Sequence, residues 1–301
     1  MSMIRNLSLG ALSSLALVTP VLAEGYRFVR IDVPDAVSTE PMGINARGAI
    51  VGKHVDADGV PHGFLYANGE FTSIDVPGAL MTLGARAINA QGDIFGSFHD
   101  RHDVQHVYVL SNGRFTKIAH PGAIATAAGG INNAGDITGQ WWNQNDRSRG
   151  YIQRDGRFYN VMGPEGTGNV HVRMAQDNGR VMVGHFVSEV DGASRGFIRH
   201  ASGEYEVIEH PDLTVQCIGL RWINQRGDMV GAFARINSPD QCHPPFEEEH
   251  AFLLRNGEYT IIDFPGAPST QPFAINDDGV IVGRYTGQDG RIHGFKATPR
   301  P

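Results

Sequence analysis

The sequence predicts an all-β fold, a six-bladed β-propeller of four-stranded antiparallel blades. Two observations predict it. Three short sequence units recur six times each at a spacing near 44 residues. Their order is also permuted, so that the N-terminal copy completes the C-terminal one. The composition agrees: 38 of 301 residues are glycine, well above the usual ~7 per cent. Hairpin-rich sheets need such residues, because tight turns require positive φ. A hydrophobic content of 41 per cent and a net charge of −7 exclude a disordered chain.

The first unit is Ile-Asn-x-x-Gly. It stands at Ile44-Asn45, Ile88-Asn89, Ile131-Asn132, Ile223-Asn224 and Ile275-Asn276, each with Gly three residues after Asn. A degenerate copy runs from Ala175-Gln176 to Gly179, and successive copies are 44, 43, 44, 48 and 52 residues apart. Strand one ends in the Ile-Asn pair, Asn caps the turn and Gly takes its left-handed position. Strand two follows, of the Ile94-Phe95-Gly96 type. The second unit, His or Arg, any residue, then an aromatic, opens strand three. Its copies begin at His62, His106, Arg149, Arg195, His250 and His293. Strand three ends in an Asn-Gly turn, as at Asn68-Gly69, Asn112-Gly113 and Asn256-Gly257, a strong hairpin signal. Strand four ends in the third unit, an apolar residue three before Pro, from Ile31 and Pro34 to Ile262 and Pro265. Four strands per repeat is the arithmetic of a propeller blade. The chain enters with a strand four, Tyr26 to Pro34, and leaves after strands one to three, Phe273 to Lys296. Pairing the two closes the ring and removes the open edge.

The units resemble HAF-type extracellular repeats, named for a His-Ala-Phe triplet that His250-Ala251-Phe252 matches literally. The resemblance covers the chain after residue 23. It departs at Arg149 and Arg195, which replace the His, and at Gln176, which replaces the Asn. It implies an exported bacterial repeat protein and little about activity.

Residues 1–23 read as a secretory signal: Arg5 in the n-region, an apolar stretch from Leu7 to Leu22, and Val21-Leu22-Ala23 at the cleavage positions. Gly10, Ser13, Ser14, Thr19 and Pro20 interrupt the stretch, unlike a transmembrane anchor. The expected product is a secreted or periplasmic propeller of residues 24–301 without a membrane anchor. In that compartment Cys217 and Cys242, both on the loop side of the fifth blade, are expected to form a disulfide.

Most recurring residues are read as structural. The Asn ring is turn chemistry. The triplet His is taken as a blade-to-blade hydrogen-bonding position, and the triplet aromatic as the packing layer between blades. Function is expected where the repeat is broken. Two residues before the repeat Ile, the six blades carry Met42, Arg86, Gly129, Arg173, Arg221 and Phe273. After the Gly of strand two come Lys53, Ser97, Gln140, His185, Ala232 and Arg284. The chain is acidic overall, yet this predicted channel mouth is basic. It therefore favours an anionic small molecule or polysaccharide, and Arg suits carboxylate, sulfate or phosphate. The expected ligand-binding residues are Lys53, Arg86, Trp141, Arg173, Arg221 and Arg284. The alternative is an enzyme, most naturally a lyase in which Arg neutralises a carboxylate while His171, His185 or Tyr285 moves the proton. A weaker alternative is a calcium-dependent lactonase-like hydrolase. Asp56-Ala57-Asp58-Gly59 and Asp191-Gly192 carry weak calcium potential, and no other cofactor is expected. Serine-hydrolase, zinc-protease and nucleotide-binding motifs are absent. Nucleic acid is not an expected partner.

Overall fold

The computed structural model describes residues 25–145, 147–164, 167–209, 217–235 and 248–300, with the backbone alone at 11–12, 21–23 and 215–216. Among the described residues twenty-six strands build six sheets. Two short strands, β1 (Ala11–Leu12) and β2 (Val21–Ala23), precede β3 (Tyr26–Ile31). Blade 1 is β4 (Ser38–Ile44), β5 (Ile50–Val55), β6 (Pro61–Ala67) and β7 (Glu70–Ile74). Blade 2 is β8 (Met81–Ile88), β9 (Ile94–His99), β10 (Gln105–Ser111) and β11 (Arg114–Ile118). Blade 3 is β12 (Ala125–Ile131), β13 (Ile137–Trp142), β14 (Ser148–Arg154) and β15 (Arg157–Val161). Blade 4 is β16 (Thr167–Ala175), β17 (Met182–Ser188), β18 (Ser194–Arg199) and β19 (Tyr205–Ile208). Blade 5 is β20 (Val215–Ile223), β21 (Met229–Arg235), β22 (His250–Arg255) and β23 (Glu258–Ile261). Blade 6 takes β24 (Ser269–Ile275), β25 (Ile281–Thr286) and β26 (Ile292–Pro299) from the end of the chain. Its fourth strand is β3, antiparallel to β26 with Gly294 opposite Ile31. The permuted repeat thus closes the ring as expected. β1 and β2 lie as short outer strands beside β7 and β3.

The turns behave as their residues dictate. Asn68, Asn112 and Asn256 have φ of 54°, 50° and 53°, each followed by a positive-φ Gly, the geometry of a primed hairpin turn. The aromatics pack more specifically than the sequence suggested. In every blade the triplet aromatic lies opposite the strand-two glycine, Phe64 against Gly52 and Tyr151 against Gly139 for example. A Cβ on Gly139 would stand 2.1 Å from the Ala127 carbonyl oxygen and 2.9 Å from the Tyr151 ring. The two repeat units are therefore one packing device, the ring covering the bare backbone of its neighbour.

The blades are joined at their inner strands by a belt of amides. Each side-chain amide donates to the main-chain carbonyl of the equivalent residue in the next blade. The bonds run Asn45 to Asn89 (3.1 Å), Asn89 to Asn132 (3.4 Å), Asn132 to Gln176 (3.1 Å) and Gln176 to Asn224 (2.9 Å). Asn224 to Asn276 (3.0 Å) and Asn276 to Asn45 (3.1 Å) close the circle. In most blades the Asn Oδ1 also accepts turn N–H groups, as in Asn45 from Arg47 and Ala49. This corrects one expectation: the blade-to-blade bonds belong to the Asn ring and not to the triplet His. The His side chains hold Asp residues of their own blade, His62 to Asp75 at 2.9 Å, His250 to Asp263 at 2.7 Å and His293 to Asp32 at 2.8 Å. The reason is directional, because the His sits on strand three and faces the Asp that follows strand four. Among the described residues no helix is long and apolar enough to cross a membrane.

Candidate functional site

Each inner strand carries an extra residue at one height. The register of β4 on β5 shifts between Pro41 and Gly43, and that of β8 on β9 between Ala85 and Ala87. Shifts between Val172 and Met174, Leu220 and Trp222, and Pro272 and Ala274 repeat the feature, and in blade 3 it falls between Ala128 and Ile131. The bulged residues are therefore Met42, Arg86, Arg173, Arg221, Phe273 and the Gly129-Gly130 stretch. A β-bulge re-aims a side chain out of the alternation of its strand. Here it brings together the three arginines expected at the channel.

Arg86, Arg221 and Arg284 converge on the Phe273 ring, with guanidinium carbons 5.3, 5.9 and 5.8 Å from its centroid. These are cation–π distances. Arg284 also binds Glu40 at 2.7 Å and Gln271 at 2.8 Å, and Lys53 reaches the same Glu40 at 3.3 Å. Glu40 thus serves two cations. Arg86, Arg173 and Arg221 make no ion pair among the described residues, and Arg86 Nη1, Arg173 Nε and Arg221 Nε are buried without a hydrogen-bond partner. Burial, and then Arg221, lower Arg86 from the usual arginine range to about 9, with Glu40 opposing. Arg173 is lowered strongly by burial and then by Arg221 and Arg86. Arg221 is lowered by burial, with Glu249 opposing and Arg284 adding to the fall. A guanidinium keeps its proton at neutral pH, so these shifts express burial first and then the mutual repulsion of a positive cluster that Glu40 and Glu249 offset in part.

His171 on β16 and His185 on β17 are a cross-strand pair, their rings stacked at 4.6 Å. Burial, then Arg173 and Arg221, lower His171 to about 3. Burial, then His171 and the arginines, lower His185 well below the usual range. Both rings are neutral at pH 7, and among the described residues Nδ1 of each lacks a partner. With Arg173, Arg221 and Glu249 they line a cavity of about 240 Å³ between blades 4 and 5. At the belt end, a space of about 50 Å³ is walled by the repeat isoleucines, Ile44, Ile88, Ile131, Ile223 and Ile275.

Of the expected residues, Arg173, Arg221, His171 and His185 line one cavity, and Arg86, Arg284 and Lys53 belong to the adjoining charged layer. Two others are turned away. Trp141 stacks on His120 at 4.2 Å and 8°, and its Nε1 donates to Asn160 at 2.9 Å. Tyr285 stacks on Phe264 at 3.7 Å and 2°, and burial pushes its hydroxyl up to about 12. Strand alternation explains both, because they follow the channel-facing Gln140 and Arg284. Cys217 lies in the cavity wall. Cys242 is outside the described residues. At the weak calcium candidate, Asp56 Oδ1 accepts from Asp58 N (3.0 Å) and Val60 N (2.8 Å), which is turn chemistry. Asp191 instead grips Arg195. Among the described residues no three His, Cys, Asp or Glu side chains are placed to hold a metal ion.

The sequence reading missed Glu40, Gln271 and Glu249. The first two lie four residues before the repeat Ile. That position carries Glu40, Gly84, Ala127, His171, Gly219 and Gln271, each paired with the residue after the strand-two Gly. Tabulating that position against its partner would have found both. Glu249 has no such signal, because it follows a long insertion.

No model of a known protein family matches the chain, and no curated protein does. Similar solved structures share its fold. A streptogramin B lyase aligns over 92% of this chain and 100% of its own at 13% identity, with a TM-score of 0.51. An Aleuria aurantia lectin in complex with Fucα1-6GlcNAc aligns over 87% and 93% at 11% identity (TM-score 0.52). A gluconolactonase from Xanthomonas campestris aligns over 96% and 100% at 12% identity (TM-score 0.55). The shared architecture is the propeller.

Proposed function

We propose that the protein binds a small carboxylate-bearing anion, with a saccharide acid among the candidate classes, in the cavity between blades 4 and 5. One observation carries this: Arg173 and Arg221 line the cavity, Arg86 adjoins them, none of the three makes an ion pair among the described residues, and each keeps a buried nitrogen without a hydrogen-bond partner. Burying such charges is unfavourable unless they are paired, so an anion is the complement the site lacks. Titration calorimetry with acetate, glucuronate and inorganic phosphate tests it. Arg221→Gln is expected to weaken the binding of an anion about tenfold to a hundredfold, the loss of one charge-assisted bond. Heat of binding from none of the three overturns it.

The stacked His171–His185 pair beside Arg173 and Arg221 favours a second reading, β-elimination. With the carboxylate neutralised by Arg, a neutral His would take the proton from the adjacent carbon. The C–H electron pair would form the new C=C bond, and the departing oxygen would take its proton from solvent. Unsaturated-product absorbance on uronate-containing polysaccharides tests this; its absence across a broad panel leaves the binding reading alone. We propose further that residues 1–23 are an export signal, that the chain belongs among HAF-type repeat proteins, and that Cys217 pairs with Cys242. The mass of the exported protein, with and without reductant, tests the signal and the disulfide together.

A further inference from the structure

We infer that the ligand of this cavity is an organic carboxylate whose acid group meets Arg173 and Arg221 and whose body is a hydrocarbon, aromatic or aliphatic. This rests on the anion-binding reading and narrows it.

The cavity lining is mixed. Blade 4 contributes His171, Arg173, His185 and Ser194. Blade 5 contributes Arg221 and Glu249 together with Ile218, Ala232, Phe233 and Ala234, with Val187 beside them from β17. The room exists because of one local choice. At the register where blade 1 pairs Glu40 with Lys53 and blade 6 pairs Gln271 with Arg284, blade 5 pairs Gly219 with Ala232. Those two small residues leave empty the volume that long polar side chains fill in blades 1 and 6. A Cβ on Gly219 would meet the His185 Cβ at 3.6 Å, an ordinary contact. The space is therefore open and not a forced close approach.

The size fits a ring with a short acid chain. A dry cavity of about 150 Å³ takes benzene, and this one is about 240 Å³. A sugar acid of similar bulk carries several hydroxyls, and each needs a hydrogen-bond partner once buried. Ile218, Ala232, Phe233, Ala234 and Val187 offer none. An apolar body gains from contact with those five side chains. Arg173, Arg221 and the Nδ1 atoms of His171 and His185 line the same cavity, where one acid group can reach them.

The test is calorimetric titration of the purified protein with 3-phenylpropionate, glucuronate and acetate. 3-Phenylpropionate is expected to bind about tenfold or more tightly than either of the others. Gly219→Val, which fills the space, is expected to cost about tenfold in 3-phenylpropionate affinity and to leave acetate unchanged. Glucuronate binding as tightly as 3-phenylpropionate, or a Gly219→Val variant that weakens both carboxylates alike, overturns the hydrocarbon body while the anion site stands. Failure of all three to bind overturns the anion site and this inference with it.

Discussion

His171 and His185 show how a residue's meaning is set by its neighbours. A histidine on a strand is a pH switch only if its environment leaves it near its ordinary value. Here burial and the adjacent arginines push both well down. The folded protein therefore keeps them neutral where the unfolded chain, near 6.5, takes up protons. Their contribution to stability is present above that value and is lost as pH falls below it towards 3. Between pH 7 and pH 5 the loss from His171 is expected to be about 2 kcal/mol. His171→Asn should remove that part of the pH dependence, seen as a smaller shift of the urea midpoint between the two pH values. An equal shift in wild type and variant would contradict the assignment. An anion bound at Arg173 and Arg221 cancels part of the depression, so binding should take up protons and tighten as pH falls. Titrations in two buffers of different ionisation heat measure that uptake.

At the scale of the element, a blade is held by the pairing of its strand-two glycine with its triplet aromatic. Tyr151, fully buried, covers Gly139 in blade 3. Gly139→Ala would drive a methyl into the Ala127 carbonyl oxygen, which is backbone and cannot give way. The expected cost is at least about 3 kcal/mol, measured as a lower denaturation midpoint, whereas Gly135→Ala in the exposed turn should act only through its positive φ. The bulge is the second device of the inner strand. It adds one residue at the same height in each blade and so converts six separate strands into a ring of channel-facing side chains. Its chemistry differs from blade to blade because Met42, Arg86, Gly129, Arg173, Arg221 and Phe273 are not needed for strand pairing.

At the scale of the whole molecule, two circular contacts turn six sheets into one ring. The amide belt links every inner strand to the next, and β3 closes blade 6 from the opposite end of the chain. Phe28 is the anchor of that closure, fully buried between Phe264 at 5.5 Å and Phe295 at 5.6 Å. Phe28→Ala is expected to cost about 3 to 5 kcal/mol. Because the closure joins the chain ends, the loss should appear as one earlier cooperative transition, and separate melting of blade 6 alone would speak against a single ring.

The sequence alone determined the blade number, the strand order and the closure, since turn residues, strand alternation and repeat order are local properties written along the chain. It also marked Arg86, Arg173 and Arg221, because they interrupt a regular repeat at one fixed offset. It misassigned the triplet His and did not foresee that the turn-capping Asn also bonds the next blade, since which blade a side chain reaches depends on its direction off the strand. Trp141 and Tyr285 were likewise placed in the channel by proximity and turned out of it by alternation. Only the tertiary structure decided that Arg173 and Arg221 share one cavity with two neutral histidines, with Arg86 beside them, and that none of the three has a carboxylate within ion-pair distance among the described residues. Charge balance is a sum over neighbours in space, and in a propeller those neighbours come from blades more than a hundred residues apart in the chain, as Arg86 and Arg221 do.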